Sequence, residues 1–245
     1  MTSCKKNVVC MKWGTKYGPE YVNNLYDMVE KNITLEHRFV CFTDDATGLN
    51  EKIEVRPLPE VIFEDGPERG WKKLGILRSP LADLEGTALF IDLDVIIIRN
   101  IDDFFSIDGD FLIIKDWDFK NYVGNSSVFR FEIGKHNDIV ENFEKNRVQI
   151  RKDFRNEQAY LSYSMKEKGI LKYWPNRWCT SFKRHCLRPF PLNWFMEPKL
   201  PNDTKILIFH GNPKPEDAIN GYTGKFGFRH VKPTNWVSKY WKKIK

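Results

Sequence analysis

One segment constrains the fold of this chain more than any other, the run TALFIDLDVIII at residues 87–98. Two aspartates, Asp92 and Asp94, interrupt what would otherwise be a continuous apolar strand. Because side chains alternate between the two faces of a strand, both carboxylates are predicted to share a face with Phe90 and Ile96. A carboxylate that leaves water needs a cation or several donors as partner. The sequence therefore predicts a divalent metal on the aspartate pair, in preference to two solvated side chains at a strand end.

Length and composition favour a folded globular protein. Of the 245 residues, 41% are hydrophobic, which is enough for a sizeable core. No apolar run approaches the roughly 20 residues of a membrane span, and the first residues lack the long apolar segment of a signal peptide. We therefore expect a cytoplasmic protein. Five cysteines, an odd number without a CxxC pair, favour reduced thiols over a disulfide framework.

The net charge of +6 suits phosphate-rich ligands, an anionic membrane surface or nucleic acid, and by itself selects none of them. The C-terminal residues combine aromatic and basic side chains, namely Trp236, Tyr240 and Trp241 with Lys239, Lys242, Lys243 and Lys245. Such a tail could make peripheral contact with an anionic membrane surface. The alternative is that its aromatic rings pack on the domain, and the sequence leaves both open.

Strand and helix patterns alternate along the chain. Strands are predicted at residues 7–11, 38–43, 51–56, 87–98, 111–115 and 127–131, and helices around residues 21–29, 71–81, 133–145 and 157–168. This order predicts an α/β fold with a mostly parallel, Rossmann-like sheet, helices on both faces and an elaborated C-terminal half. Ligands of such sheets bind beyond the carboxyl ends of the strands. The loop from Thr15 to Tyr17, the turn at Asp44 and the aspartate pair all fall there.

Several motifs also occur in a particular order. They are Lys72-Lys73-Leu74, the Asp-x-Asp strand with the following residues 99–105, Asn125-Ser126-Ser127-Val128, Glu157-Gln158 and His210-Gly211-Asn212-Pro213-Lys214-Pro215. Together they resemble the retaining sugar transferases of glycosyltransferase family 8, which includes glycogenin and bacterial lipooligosaccharide galactosyltransferases. The last motif departs from the family's His-x-x-Gly-x-x-Lys-Pro-Trp, because its histidine directly precedes Gly211 and Glu216 replaces the tryptophan.

The resemblance implies a GT-A fold and a set of site residues. Asp92, Asp94 and His210 would hold Mn²⁺ or Mg²⁺, although a histidine after an apolar run also suits a capping role. Lys73 and Lys214 would contact the donor, Lys214 at its diphosphate. Asn125 would contact the donor sugar, and Glu157 and Gln158 would flank the transferred sugar and its anomeric carbon. For the last two, the first turn of a helix is the alternative.

The resemblance further implies an enzyme that moves a sugar from a nucleotide-sugar, with UDP as the expected nucleotide, to an acceptor hydroxyl with retention. Thr15, Tyr17 and Asp44 are the candidates for binding the base and ribose. The chain is expected to form one domain, residues 1–245, with a nucleotide-binding half at 1–100 and an acceptor-binding half at 101–245. The acceptor would be a surface glycan or glycolipid, and no nucleic acid partner is expected. A sugar-nucleotide nucleotidyltransferase and a noncatalytic carbohydrate-binding protein remain as alternatives.

Overall fold

The computed structural model of the chain describes residues 5–63, 66–118, 121–225 and 228–242. The strands are β1 (Lys6–Lys12), β2 (Arg38–Thr43), β3 (Glu54–Arg56), β4 (Thr87–Ile91), β5 (Val95–Ile97), β6 (Phe111–Lys115), β7 (Gly124–Glu132), β8 (Leu171–Tyr173), β9 (Cys179–Ser181), β10 (Ile206–Ile208), β11 (Tyr222–Thr223) and β12 (His230–Val231). The α-helices are α1 (Pro19–Asn32), α2 (Asp103–Ser106), α3 (Asn137–Asp153), α4 (Glu157–Glu167) and α5 (Pro215–Asn220). Short 3-10 helices cover Trp71–Leu77, Leu192–Trp194 and Val237–Lys239, and a π-helical turn covers Phe182–Cys186.

The chain divides into two compact units, each assembled from three separate stretches. Unit 1 comprises Met1–Tyr17, Leu35–Asp92 and Asp103–Trp174. Unit 2 comprises Gly18–Thr34, Leu93–Asp102 and Pro175–Lys245. The chain therefore leaves unit 1 between the two aspartates of the Asp-x-Asp motif.

Unit 1 is built on a seven-stranded sheet with the order β3-β2-β1-β4-β7-β6-β8 among the described residues. Four of the neighbouring pairs are parallel, and β7 runs antiparallel to both β4 and β6. The sheet is thus mostly parallel, which confirms the predicted fold class.

Both faces of this sheet carry helices. On one face, Phe90, Phe129 and other alternate strand residues pack against α3, α4 and the 3-10 helix Trp71–Leu77. On the opposite face, the Arg130 guanidinium donates to the carbonyl oxygen of Phe104 in α2 at 2.9 Å. The strands are apolar on both faces because both faces are covered.

Unit 2 contains a smaller sheet with the order β5-β10-β9 and the hairpin formed by β11 and β12. β10 pairs antiparallel with β5 and parallel with β9. Helix α1 begins with Pro19 in its first turn and buries Val22, Leu25 and Val29, as its apolar spacing predicts.

The prediction of one continuous strand through residues 87–98 was wrong. β4 ends at Ile91 and β5 begins at Val95, and the two strands belong to different sheets. The amide of Asp92 still donates to the Ser127 carbonyl oxygen at 2.8 Å, whereas the carbonyl of Asp94 already accepts from Phe209 at 3.1 Å. The alternation that would place both carboxylates on one face therefore does not apply.

Other predicted elements differ mainly at their ends. The strands at 38–43 and 111–115 are confirmed, whereas β3 is shorter than expected. The helix expected at 71–81 is a 3-10 helix that stops at Leu77, because Arg78 leaves the helical conformation with ψ of 152°. The helix expected at 133–145 begins only at Asn137, after Gly134 turns the chain with φ of 86°.

Two further expectations concern thiols and membrane spans. The described cysteines Cys10, Cys41, Cys179 and Cys186 are free thiols, and Cys4 lies outside the described residues. Within the described residues, no helix has both the length and the apolar composition that crossing a bilayer requires.

Candidate functional site

Lys73 forms the centre of a buried polar cluster in unit 1. Its Nζ donates to Asp92 Oδ1 at 2.7 Å and to the carbonyl and hydroxyl oxygens of Ser126 at 3.2 and 3.3 Å. A carboxylate oxygen of Glu157 lies 3.8 Å from the same ammonium group. Because only 9% of the Lys73 side chain is exposed, these oxygens replace the water that would otherwise hydrate the charge.

The 3-10 helix Trp71–Leu77 holds Lys73 in this cluster. Trp71 is buried and stacks on Phe143, with ring centroids 4.9 Å apart. Leu74 is buried in the same core. A lysine between two buried core residues has little freedom to leave its position, so the core itself places the ammonium group beside Asp92.

Glu157 is more deeply buried than Asp92, with 5% of its side chain exposed. It accepts a hydrogen bond from the Ser126 hydroxyl group. Burial raises the pKa of the Glu157 carboxyl, while the Lys73 ammonium and the Ser126 hydroxyl oppose that rise. Gly70, at φ of 84°, passes so close that a Cβ atom there would lie 2.7 Å from Glu157 Oε2. The position therefore requires glycine both for its conformation and for space.

Glu157 and Gln158 occupy the first turn of α4, which Asn156 caps through its side-chain oxygen. Their backbone is therefore in the first turn of a helix, as the alternative predicts. The Glu157 side chain, however, is buried in the cluster instead of being solvated. Gln158 Oε1 accepts from the amide of Ser126 at 3.4 Å, and its amide group donates to Asp116 Oδ2 at 3.4 Å. Ser126 on β7 therefore orients both side chains, and Asp116, which directly follows β6, also orients Gln158.

Asn125 lies on β7 next to Ser126, at the point where the pairing between β6 and β7 shifts register. Its side chain is buried, and its Oδ1 accepts from the amide of Ser127 at 3.1 Å. Asn125 thus directly precedes Ser126, the β7 residue that contacts both Lys73 and Glu157.

The three residues predicted to bind the nucleoside follow β1 and β2. Because β1 is parallel to both β2 and β4, the carboxyl ends of these strands lie at one edge of the sheet, the edge that Asp92 also occupies. Asp44 Oδ2 accepts from the amide of Gly14 at 3.1 Å and so joins the two loops. Thr15 is exposed and Tyr17 is half-buried. The topology therefore groups Thr15, Tyr17 and Asp44 at the edge that the sequence predicted.

In unit 2, the other aspartate has its own lysine partner. Asp94 Oδ2 accepts from the Lys214 ammonium group, and 12% and 21% of the two side chains are exposed. The pairing of β5 with β10 produces this contact, because Asp94 immediately precedes β5 and Phe209 immediately follows β10. Lys214 stands in the loop before α5, where its amide donates to Asp217 Oδ2 at 2.8 Å.

His210 follows Phe209 at the same end of β10. Its Nε2 lies 2.8 Å from the hydroxyl oxygen of Ser181, the last residue of β9. The histidine is half-buried, and the structure places it in the unit that contains Asp94 and Lys214. Its role as a metal ligand stays a prediction.

The residues predicted to hold a divalent metal are Asp92, Asp94 and His210. Within the described ranges, no three His, Cys, Asp or Glu side chains already form a group that could hold a metal ion. Each aspartate instead forms an ion pair with one lysine ammonium group, so charge balance alone does not require a metal there. A carboxylate has about four acceptor positions, however, and one lysine does not saturate it. Two carboxylates and an imidazole remain a donor set that suits Mn²⁺ or Mg²⁺.

Sequence reasoning missed two residues of this region. Ser126 contacts both Lys73 and Glu157, although the sequence singled out only its neighbour Asn125. Lys12 is buried at the end of β1, where its Nζ donates to the carbonyl oxygen of Asp45 at 3.0 Å. A lysine that ends an apolar strand was a visible signal for Lys12, whereas Ser126 lay inside the motif Asn125-Ser126-Ser127-Val128 without a role assigned to it.

The C-terminal aromatic residues pack within unit 2, as the docking alternative predicts. Trp241 is buried, lies edge-on to Tyr21 and donates through its indole N–H to Glu216 Oε1 at 2.7 Å. The Trp236 indole donates to the Pro198 carbonyl oxygen at 2.9 Å. Lys239 and Lys242 are exposed, whereas Lys243 and Lys245 lie outside the described residues.

Comparisons with known proteins were made with the sequence and with the structure. No protein-family model matches the chain, and no curated protein sequence matches it. One similar solved structure is the galactosyltransferase LgtC in complex with donor and acceptor sugar analogs, with 15% identity, a TM-score of 0.56, and coverage of 85% of this chain and 88% of that one. Another is an active-site mutant of LgtC, with 14% identity, a TM-score of 0.58, and coverage of 85% and 89%. The chain therefore has the fold of the galactosyltransferase LgtC.

Proposed function

We propose that this protein is a metal-dependent glycosyltransferase that moves a sugar from a UDP-sugar to a hydroxyl group of a glycan or glycolipid acceptor, with retention. The observation that carries the proposal is the pairing of each Asp-x-Asp carboxylate with a lysine, Asp92 with Lys73 and Asp94 with Lys214. Carboxylates suit a divalent cation, and ammonium groups suit a diphosphate. The fold shared with LgtC, whose structure was solved with donor and acceptor sugar analogs, supports the same choice.

The leaving diphosphate carries the charge that such a site must stabilise. A divalent cation bound by Asp92, Asp94 and His210 would supply Lewis-acid stabilisation of that charge. Lys214 acts from a loop as a movable cation for the same phosphates. Lys73 holds Asp92 in place, because its ammonium group donates to Asp92 Oδ1 and is itself fixed by the core of unit 1. Most of the rate enhancement is then electrostatic.

Glu157 and Gln158 have separate roles in this proposal. Glu157, oriented by Ser126 and buried beside Lys73, accepts hydrogen bonds from hydroxyl groups of the transferred sugar. Gln158 presents its amide to the anomeric carbon and stabilises the positive charge that develops there, since a neutral amide is a weak nucleophile. Asn125 contacts the donor sugar.

The nucleoside is assigned to the edge formed by the ends of β1 and β2. Tyr17 stacks on the base, and Asp44 accepts a hydrogen bond from a ribose hydroxyl. Thr15, in the same loop as Tyr17, completes the contacts. The parallel strands that end at this edge support the assignment, because ligands of such sheets bind beyond the carboxyl ends.

Calorimetry of the purified protein with UDP, GDP and ATP, each with Mn²⁺ and with a chelator, tests the proposal. We expect Mn²⁺-dependent UDP binding that the Asp94→Asn variant lowers at least about tenfold, because a carboxylate ligand becomes a neutral amide. The matched control is Asp203→Asn, an exposed aspartate of unit 2 whose φ of 67° asparagine also adopts.

Three outcomes contradict parts of the proposal. UDP binding that is equal in Asp94→Asn and wild type refutes the metal assignment. Metal-dependent binding of ATP in place of UDP favours a nucleotidyltransferase. If UDP binds as expected, hydrolysis assays with a panel of UDP-sugars identify the donor, and an absence of turnover with every donor and acceptor tested favours a noncatalytic binding protein.

A further inference from the structure

Unit 2 exposes a group of large apolar side chains that the proposed site does not use. We call this group the aromatic face, and it consists of Phe190, Leu192, Trp194, Phe195, Met196 and Phe228, each between 42% and 74% exposed. Large apolar side chains that are left in water forgo the free energy that burial would provide. Single exposed apolar residues are common, but a group of this kind marks an interaction surface.

The aromatic face is fixed by hydrogen bonds and ring contacts. Asn193 is buried beneath it and donates to the carbonyl oxygens of Phe228 and His230 at 3.0 and 3.1 Å, which joins the two chain segments. Trp194 stacks on His230 with ring centroids 4.0 Å apart and an angle of 4° between the planes. Phe190 lies edge-on to Phe228 at 5.4 Å. The fold therefore holds these rings in the exposed position.

The two chain segments that carry the aromatic face are strongly basic. Residues 182–199 and 221–232 contain one acidic residue, Glu197, and seven basic ones, Lys183, Arg184, Arg188, Lys199, Lys225, Arg229 and Lys232. Lys232 lies directly at the face, because its Nζ donates to the carbonyl oxygen of Phe195 at 3.3 Å. The partner of this surface should therefore be apolar at its centre and anionic around it.

We propose that the aromatic face binds the surface of an anionic lipid bilayer. Tryptophan and phenylalanine rings sit at the level of the headgroups, and lysine and arginine residues near the surface are attracted to anionic lipid. A second copy of the chain fits less well, because a symmetric contact would bring two basic surfaces together. The proposal does not depend on the glycosyltransferase activity.

This surface differs from the C-terminal tail that the sequence suggested for membrane contact. The ring of Trp241 is buried within unit 2 and Trp236 is half-buried, so the tail aromatics are already packed on protein. Phe195 and Phe228, in contrast, are 74% and 69% exposed.

Co-sedimentation with vesicles tests the proposal. One set consists of phosphatidylcholine and the other of equal parts of phosphatidylcholine and phosphatidylglycerol. We expect binding to the anionic vesicles that weakens as salt rises, and a loss of at least about tenfold in the double variant Phe195→Ser, Phe228→Ser. Arg229→Gln should weaken binding to a smaller extent. The matched control is Ile62→Ser, which removes an apolar side chain of similar exposure, 60%, from unit 1.

Three results would overturn the proposal. They are wild-type protein that stays in solution with anionic vesicles, a double variant that binds as wild type does, and an Ile62→Ser variant that loses binding equally. Sedimentation equilibrium supplies a further test, because a concentration-dependent dimer abolished by the double variant would assign the face to a second copy. If thermal unfolding shows that the double variant does not fold, the single Phe195→Ser variant is used, since its side chain is the most exposed of the group.

Discussion

The two lysine–aspartate pairs of this protein have the same chemistry and different surroundings. In unit 1, Lys73 is 9% exposed, stands on a helix packed into the core and contacts oxygens of Asp92, Ser126 and Glu157. In unit 2, Lys214 is 21% exposed and stands in a loop. The Lys73 ammonium group is fixed by a helix of the core, whereas the Lys214 ammonium group is more exposed and extends from a loop.

This difference indicates a division of labour. A buried ammonium group surrounded by fixed oxygens balances charge permanently, and removing it leaves buried carboxylates without a cation. A partly exposed lysine in a loop exchanges partners at lower cost, so it is suited to respond to a bound phosphate. The first pair should therefore matter most for stability and the second for ligand binding.

The largest expected effect is that of Lys73→Met. This variant leaves Asp92 and Glu157 without their ammonium partner, and we expect a loss of about 3–5 kcal/mol in unfolding free energy at neutral pH. The loss should shrink as the pH falls, because without Lys73 the folded-state pKa of Glu157 rises further above its unfolded value and protonation then stabilises the fold. Urea unfolding at neutral and acidic pH measures both the loss in unfolding free energy and its dependence on pH.

Lys72→Met is the matched control for this variant. Lys72 is the preceding lysine of the same helix and is half-buried, and its substitution should change stability by about 0.5 kcal/mol or less. Equal losses in the two variants would show that the cluster around Lys73 contributes no special stability.

The next effect concerns His136, a buried histidine of unit 1. Neither ring nitrogen has a hydrogen-bond partner among the described residues. Burial, aided by the Lys168 ammonium, lowers the His136 pKa from 6.5 to about 4. Between these two pH values the unfolded chain binds a proton that the folded chain does not. Unfolding free energy should therefore fall by up to about 3 kcal/mol as the pH drops through this window.

The His136→Leu variant isolates this contribution. Its unfolding free energy should depend less on pH than that of wild type between pH 6.5 and 4, because the titrating imidazole is gone. Carboxylates common to both proteins cancel in the difference. His210 in unit 2 provides the contrast, since its Nε2 has the Ser181 hydroxyl group at 2.8 Å. Parallel curves for wild type and His136→Leu would rule out the His136 contribution.

The smallest effect on stability is expected for Lys214→Met. Asp94 retains partial contact with water, so we expect a loss of about 1–2 kcal/mol in urea unfolding. Its effect on ligand binding should be larger, with Mn²⁺-dependent UDP affinity at least about tenfold lower because a charge-assisted contact to the diphosphate disappears. Calorimetry separates the two effects, and unchanged UDP affinity would contradict the proposed role of this lysine.

Local sequence signals predicted much of the fold. The apolar runs of β1, β2 and β6 were located because a strand covered on both faces is apolar along its whole length. Helix α1 was recognised from its apolar spacing, and the helical pattern at 157–168 corresponds to α4. The alternation of these elements was sufficient to predict a mostly parallel sheet.

The same local reasoning failed between Asp92 and Asp94. An apolar run predicts a strand, but it does not specify which strand will pair with it. β4 pairs with β1 and β7, whereas β5 pairs with β10 from a distant part of the chain. The break is therefore decided by long-range pairing, which leaves no signal within the run itself.

For the site, the sequence by itself determined which residue types could carry the chemistry: two aspartates, two lysines, a glutamate with its glutamine, and a histidine. Only the tertiary structure decided which of them meet, that Lys73 neutralises Asp92, that Lys214 neutralises Asp94, and that Ser126 orients Glu157. The physical reason is that the identity of a residue fixes its charge and hydrogen-bonding capacity, whereas its partners and burial depend on segments that are far apart in the chain.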